Sequence, residues 1–168
     1  MTRTRGFSLI ELTVVLVIMS LLTGVASVSV ARRMRHARQA DVIDATMRLD
    51  AEARLYAIDH KQRCVLSWSQ YDNELQVVAA DDADHIALRC TAPDGWIVSL
   101  LRPAGDEEVE SVMFGEDGRT PTYAVEFRLP DGSYQRLLFA GVTGEVKRCD
   151  EQEDYRRYAT LLSGDDAD

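Results

Sequence analysis

The sequence predicts an α+β protein: a long N-terminal helix, half transmembrane and half amphipathic, packed on a small antiparallel β-sandwich of about eight short strands. Three observations carry that expectation. The twenty residues from Leu12 to Ala31 include no charged side chain. No proline occurs before Pro93, so nothing in the first half of the chain forces a helix to stop. Beyond residue 60 the apolar period changes from helical to two-fold, and short β-rich runs alternate with Gly, Pro and Asp turn signals.

The uncharged run comes first. At ~1.5 Å rise per residue it spans about 30 Å, the thickness of a hydrocarbon core. Gly24 and the interspersed Ser and Thr are tolerated in such a helix. On these residues alone three readings stay open. One is a secretory signal cut at the small-x-small site Ser29-Val30-Ala31, with Arg3 and Arg5 as its basic start. Another is an uncleaved signal anchor. The third turns on Glu11, which interrupts the start of the run. The run is also longer than the ~7–15 residues usual in a cleaved signal.

Arg5-Gly6-Phe7-Ser8-Leu9-Ile10-Glu11-Leu12 resembles the N-terminal signature of type IV pilins and type II secretion pseudopilins: a short basic leader ending in Gly, then Phe, then Glu four residues later, then an apolar helix. The resemblance implies a leader of residues 1–6 and cleavage between Gly6 and Phe7 by a prepilin peptidase. It also implies methylation of the new Phe7 amine and a part for Glu11 in assembly. The physical case for Glu11 stands beside it. A carboxylate in hydrocarbon costs about 2.5–3.5 kcal/mol on insertion scales. A position in the first helical turns offsets part of that through the macrodipole. The ammonium group released at Phe7 of one subunit is a suitable partner for Glu11 of the next, and such a pair would set the axial register of a helical bundle.

Topology shows a conflict. Arg32, Arg33, Arg35 and Arg38 on the far side of the run outnumber Arg3 and Arg5, and the positive-inside rule alone would hold the C-terminal part in the cytoplasm. The resemblance implies the opposite: a cytoplasmic N-terminus, a single pass through the bacterial inner membrane and a periplasmic domain. Long domains translocate largely regardless of charge.

The chain therefore reads as a membrane or filament-core helix over 7–31 and an amphipathic continuation over 32–60. In the latter, Ile43, Met47, Ala51, Leu55 and Ile58 recur at helical spacing and are expected to face the domain. Leu49 and Tyr56 lie on a second face.

A β-rich domain is expected over 61–162, with an acidic disordered tail over 163–168. The expected strands are 63–68, 74–79, 85–90, 96–101, 111–114, 123–129, 134–140 and 145–148. The clearest hairpin joins Tyr123–Leu129 to Tyr134–Ala140, where Tyr123, Val125, Phe127 and Leu129 alternate with Glu126 and Arg128. Phe114-Gly115-Glu116-Asp117-Gly118-Arg119-Thr120, then Tyr123 to Phe127, Arg136 to Phe139 and Thr143-Gly144-Glu145-Val146, resembles the C-terminal pattern of GspH/FimT-type minor pseudopilins.

Charge and motifs narrow the function. Residues 1–60 hold eight Arg and six acids, net +2; residues 61–168 hold eleven Lys/Arg and 22 acids, net −11. That balance argues against nucleic acid as a partner. A basic stripe of Arg119, Arg128, Arg136, Lys147 and Arg148 would be needed for the alternative that the resemblance raises, a FimT-like DNA-binding minor pilin. No Ser/His/Asp order, nucleophile elbow or phosphate loop points to an enzyme. The dispersed His36, His60 and His85 and the acid runs Asp81-Asp82-Ala83-Asp84 and Asp106-Glu107-Glu108 lack metal-ligand spacing, so neither metal nor cofactor is expected. In an oxidising compartment Cys64–Cys90 is the expected disulfide, with Cys90–Cys149 as the rival. The expectation is a non-enzymatic minor pseudopilin whose partners are the prepilin peptidase, other pseudopilins or pilins, the inner membrane and secreted cargo.

Overall fold

A computed structural model describes residues 9–163 apart from positions 104 and 150, with side chains at 24–32, 35–36, 83–85 and 163 left undescribed. The leader and the Gly6-Phe7 junction lie outside the described residues, as does most of the expected tail.

Helix α1 runs Leu9–His60 and is followed by nine strands and a second helix. The strands are β1 Cys64–Ser69, β2 Glu74–Ala79, β3 Asp82–Thr91, β4 Ile97–Arg102, β5 Glu107–Val109, β6 Ser111–Phe114, β7 Tyr123–Arg128, β8 Tyr134–Phe139 and β9 Val146–Cys149; helix α2 is Gln152–Ser163. The chain divides into two units, Met1–Asp41 and Val42–Asp168.

In the first unit, α1 contains no proline to break it. Its apolar side chains from Leu9 to Leu22 are exposed. The hydroxyls among them are satisfied within the helix: Thr13 donates to the Ile10 carbonyl at 2.8 Å, Ser20 to Leu16 at 2.8 Å and Thr23 to Met19 at 2.7 Å. A helix whose polar groups close on its own backbone asks nothing of an apolar surrounding. Among the described residues no helix is long and apolar enough to cross a membrane.

In the second unit, two antiparallel sheets follow the two-fold patterning. The four-stranded sheet has the order β3-β2-β1-β6, and the five-stranded sheet β5-β4-β7-β8-β9. The hairpin of β7 and β8 pairs Tyr123 with Phe139 through to Arg128 with Tyr134. Inward residues of both sheets (Leu66, Val77, Phe114, Val125, Phe127, Leu137 and Phe139 among them) form one core, closed by the second half of α1.

The face of α1 that does this overlaps only in part with the one expected: Ile43 is buried and Met47 packs on the core as expected. Thr46, Leu49, Asp50, Ala53 and Ala57 are buried, with Val42 and Ile43, whereas Leu55 and Ile58 remain 65% and 50% exposed. Small residues let the helix backbone approach the sheets closely. Toward the C-terminal end of α1 the alanines face the sheets and Leu55 is left outside, although a hydropathy pattern favours it.

Two elements were not expected. Strand β5 forms where the acidic Glu107-Glu108 pairs along the edge strand β4, with Leu100 opposite Val109 and Arg102 opposite Glu107. Helix α2 covers the outer face of the five-stranded sheet, where Tyr155 and Ala159 pack on Leu101, Ala124, Leu138 and Cys149.

The expected Cys64–Cys90 disulfide does not form; both residues are thiols. Cys64 pairs with Ala79, while Cys90 pairs with Leu75 on the far side of β2. Two strand spacings alone come to about 9.6 Å, beyond the ~7 Å Cα separation a disulfide tolerates. The rival is excluded by placement as well: Cys90 packs on the core between the sheets, whereas Cys149 lies under α2 on the outer face of the five-stranded sheet. Cys64 Sγ instead donates to the Ala53 carbonyl at 3.6 Å, and burial pushes its thiol up to about 11. Burial raises Cys90 too.

Candidate processing and assembly site

Of the residues that the sequence singles out for processing and assembly, Gly6 and Phe7 lie outside the described residues. Glu11 is described: it falls in the first turn of α1 and is exposed. There the unpaired backbone N–H groups favour an anion, and the carboxylate is open to a partner from another chain.

The second unit holds a polar cluster that sequence reading missed. Arg54, on α1, is 12% exposed and pairs with Asp50, which is 3% exposed and one turn earlier; Nε lies 2.8 Å from Oδ2. The same guanidinium reaches the far end of the chain. Nη1 donates to the carbonyls of Gly118 at 3.1 Å and Gly141 at 2.8 Å. Nη2 donates to Thr120 Oγ1 at 3.4 Å and to the Ala140 carbonyl at 3.3 Å. Tyr123 completes the cluster, its hydroxyl donating to Asp50 Oδ1 at 2.8 Å. Tyr123 is held by a parallel stack on Phe139, with ring centroids 4.7 Å apart. Burial first, and then the Asp50 charge, hold its hydroxyl well above its ordinary range.

These partners explain the Gly-rich turns. Gly118 has φ +75°, and a Cβ there would come 2.8 Å from Ile58 Cδ1 and 3.3 Å from the Arg54 carbonyl. A Cβ on Gly141 would collide with the Thr120 carbonyl. The turn 114–120 and the loop 140–144 are a cradle for one arginine. They tie α1 to both sheets, since β6 leads into one and β8 into the other. No group here is poised for proton transfer or nucleophilic attack; the cluster fixes position. Only the (i, i+4) spacing of Asp50 and Arg54 signals it in the sequence.

A further charged cluster lies beneath α2. Arg136 Nε donates to Glu126 Oε2 at 2.7 Å, and Arg136 Nη1 sits 3.5 Å from Asp106 Oδ1, an ion pair without hydrogen-bond geometry. The guanidinium lies 4.5 Å from the Tyr155 ring centroid. Burial works against the charge of Arg136, but the Glu126 hydrogen bond and carboxylate outweigh it and raise its affinity for the proton. Burial raises the Tyr155 hydroxyl, with Asp106 adding to the effect.

Four side chains of the basic stripe that nucleic acid would need are engaged within the second unit. Arg119 pairs with Asp117 at 3.5 Å and Arg128 with Glu126 at 3.2 Å; Arg136 is enclosed, and Lys147 lies 4.6 Å over the Tyr158 ring. Among the described residues no three His, Cys, Asp or Glu side chains converge on a possible ion.

Comparison with known proteins agrees with the N-terminal reading. Residues 1–27 match the prokaryotic N-terminal methylation motif. The fold is similar to that of the type IV minor pilin FimU of Pseudomonas aeruginosa, with a TM-score of 0.50 at 10% identity over 68% of this chain and 90% of that one. The minor pseudopilin EpsH from the type 2 secretion system of Vibrio cholerae aligns with a TM-score of 0.44 at 15% identity, over 64% and 94%. No curated protein matches the chain. At this identity the likeness to FimU establishes an α+β pilin-type fold, and the motif marks the N-terminus as prepilin-like.

Proposed function

We propose that this chain is a minor pseudopilin, a structural subunit of a type II secretion pseudopilus or a type IV pilus-like filament. The match of residues 1–27 to the N-terminal methylation motif carries the reading, and the pilin-type fold supports it. In this reading prepilin peptidase cuts between Gly6 and Phe7 and the Phe7 amine is methylated. The helix then leaves the inner membrane for a filament, with the second unit on the periplasmic side. Glu11 pairs with a Phe7 ammonium of a neighbouring subunit. The work is mechanical: α1 is the shared element, and the Arg54 cradle keeps the second unit seated on it. Neighbouring pilin-type subunits, and through them secreted cargo, are the partners.

The test is co-expression of the full chain with a prepilin peptidase, followed by intact-mass measurement. A product that begins at methylated Phe7 is expected. A product beginning after Ala31, or an uncut chain, would overturn the reading.

A further inference from the structure

Two surfaces of the second unit are complementary to each other. One is the outer face of the four-stranded sheet. Met113 on β6 pairs with Val65 on β1, Val65 with Val78 on β2, and Val78 with Ile86 on β3. The result is an apolar row across all four strands, about 14 Å long at ~4.8 Å per strand. The row points away from the core: Met113 is 50% and Ile86 40% exposed. Polar residues form the next outward row, Ser111, Ser67, Gln76 and Arg89. On the other side Arg63 precedes β1 with the same facing as Val65, its carbonyl bonded to Ala80 N. Arg63 and Arg89 are exposed, and among the described residues neither has a carboxylate partner. Two guanidiniums therefore bracket an apolar strip in a region that is otherwise strongly acidic.

The other surface is the outward face of α1. Leu55 and Ile58 are exposed there. Glu52 and Asp59 lie three residues before and four residues after Leu55, on the same helix face, and both are exposed. Here two carboxylates bracket an apolar ridge about 10 Å long at ~1.5 Å per residue. The arginines on the sheet sit about 16 Å apart by strand and row spacing, and the length of their side chains covers the difference.

We infer that the outer face of the four-stranded sheet receives the Glu52–Asp59 ridge of α1 from a second copy of this chain. Met113, Val65, Val78 and Ile86 meet Leu55 and Ile58, and Arg63 and Arg89 meet the two carboxylates. Because the two surfaces differ, the contact is head-to-tail and repeats without closing on itself. It is additional to pairing at Glu11 and does not depend on cleavage after Gly6.

The test uses the full chain, expressed in membranes as two differently tagged copies, one with Met113→Cys and the other with Leu55→Cys. Mild oxidation is expected to give a mixed cross-linked dimer several-fold above the level from Met113→Cys with Leu161→Cys, an exposed site on α2. Adding Arg89→Glu to the first copy is expected to lower the yield about tenfold, and Glu52→Arg in the second copy to restore it. These substitutions are all at exposed positions, and circular dichroism checks that both copies fold. Equal yield with Leu161→Cys, indifference to the charge reversals, capture of a different protein by Met113→Cys, or no cross-link between folded copies would each overturn the contact. Intact mass from the same membranes reports processing at Gly6 separately.

Discussion

Arg54 Nη1 donates to the carbonyl oxygen of Gly141 at 2.8 Å, joining positions 87 residues apart in the chain. The bond reverses an expectation about the C-terminal motif. Gly118 within that motif and Gly141 beside it look like hairpin punctuation in the sequence, but both present carbonyls to a helix cation. The helix enters the filament in the proposed function, so this contact is where axial force on α1 would reach the sheets.

Replacing Arg54 by methionine should therefore be severe. The change keeps much of the side-chain length and leaves Asp50 buried without its cation. Breaking one partner of a buried pair typically costs about 3–5 kcal/mol. Arg54→Lys should recover only part of this, because an ammonium group cannot serve the carbonyls of Gly118, Ala140 and Gly141 and the Asp50 carboxylate together. Denaturant unfolding of both variants checks the ranking; a loss below 1 kcal/mol for Arg54→Met would show that the cradle holds nothing.

Gly118→Ala should destabilise through a separate mechanism. Its φ of +75° is costly for any side chain, and the added methyl would press on Ile58 Cδ1. About 1–3 kcal/mol is expected. Gly132, with φ +82°, has nothing near its Cβ position, so Gly132→Ala should lose only the conformational part, about 1–2 kcal/mol. Comparing the two melting temperatures isolates the contact with α1.

Much of the fold was legible in the sequence, and what was not has a common cause. Strands such as β7 and β8 declare themselves because alternation and turn residues are local. The docking face of α1 does not, because Thr46, Asp50 and Ala53 are buried against Cys90, Tyr123 and Cys64, strand residues of both sheets. Helix α2 is masked by its charges; its described apolar residues packed on the sheet are Tyr155, Tyr158, Ala159 and Leu162. Strand β5 is three residues long, two of them glutamate, and exists because β4 offers an edge. The disulfide expectation failed on strand order: β2 lies between β1 and β3 in the sheet and sets Cys64 and Cys90 two strands apart. Gly6, Phe7 and Glu11 stand out in the sequence because their spacing is local, and they fall within the matched motif over residues 1–27.

Stability should fall at alkaline pH. Tyr123 has a folded pKa well above its ordinary 10, and Cys64 is pushed from 9.0 to about 11. Both groups are raised, so the unfolded chain loses these protons first and binds fewer of them. Their contribution is complete below pH ~9 and is lost as pH rises, Cys64 from about 9 to 11 and Tyr123 from about 10 upward. Each proton adds a slope of about 1.4 kcal/mol per pH unit. Urea midpoints between pH 7 and 11 measure this. Tyr123→Phe should flatten the curve above pH 10 and cost about 1–2 kcal/mol at pH 7 through the lost bond to Asp50. An unchanged slope in that variant would assign the alkaline loss elsewhere.

Glu11→Ala separates assembly from processing. The residue lies on the exposed face of the first turn of α1, with no part in the core formed by residues 42–159. The variant should fold, insert and be cut after Gly6 as the parent is. What it lacks is the carboxylate that, in the proposed function, meets the Phe7 ammonium of a neighbour. A pair desolvated among apolar helices is worth more than one in water, and a loss of about 1.4 kcal/mol already lowers association tenfold. Incorporation into sheared filaments, measured against the membrane pool, should thus drop at least about tenfold. Glu11→Asp should fall between the two, since it keeps the charge and shortens the reach. Wild-type incorporation of Glu11→Ala would leave the carboxylate as a group resting among the headgroups, and the register of the helices would then have to come from the apolar side chains between Leu9 and Leu22.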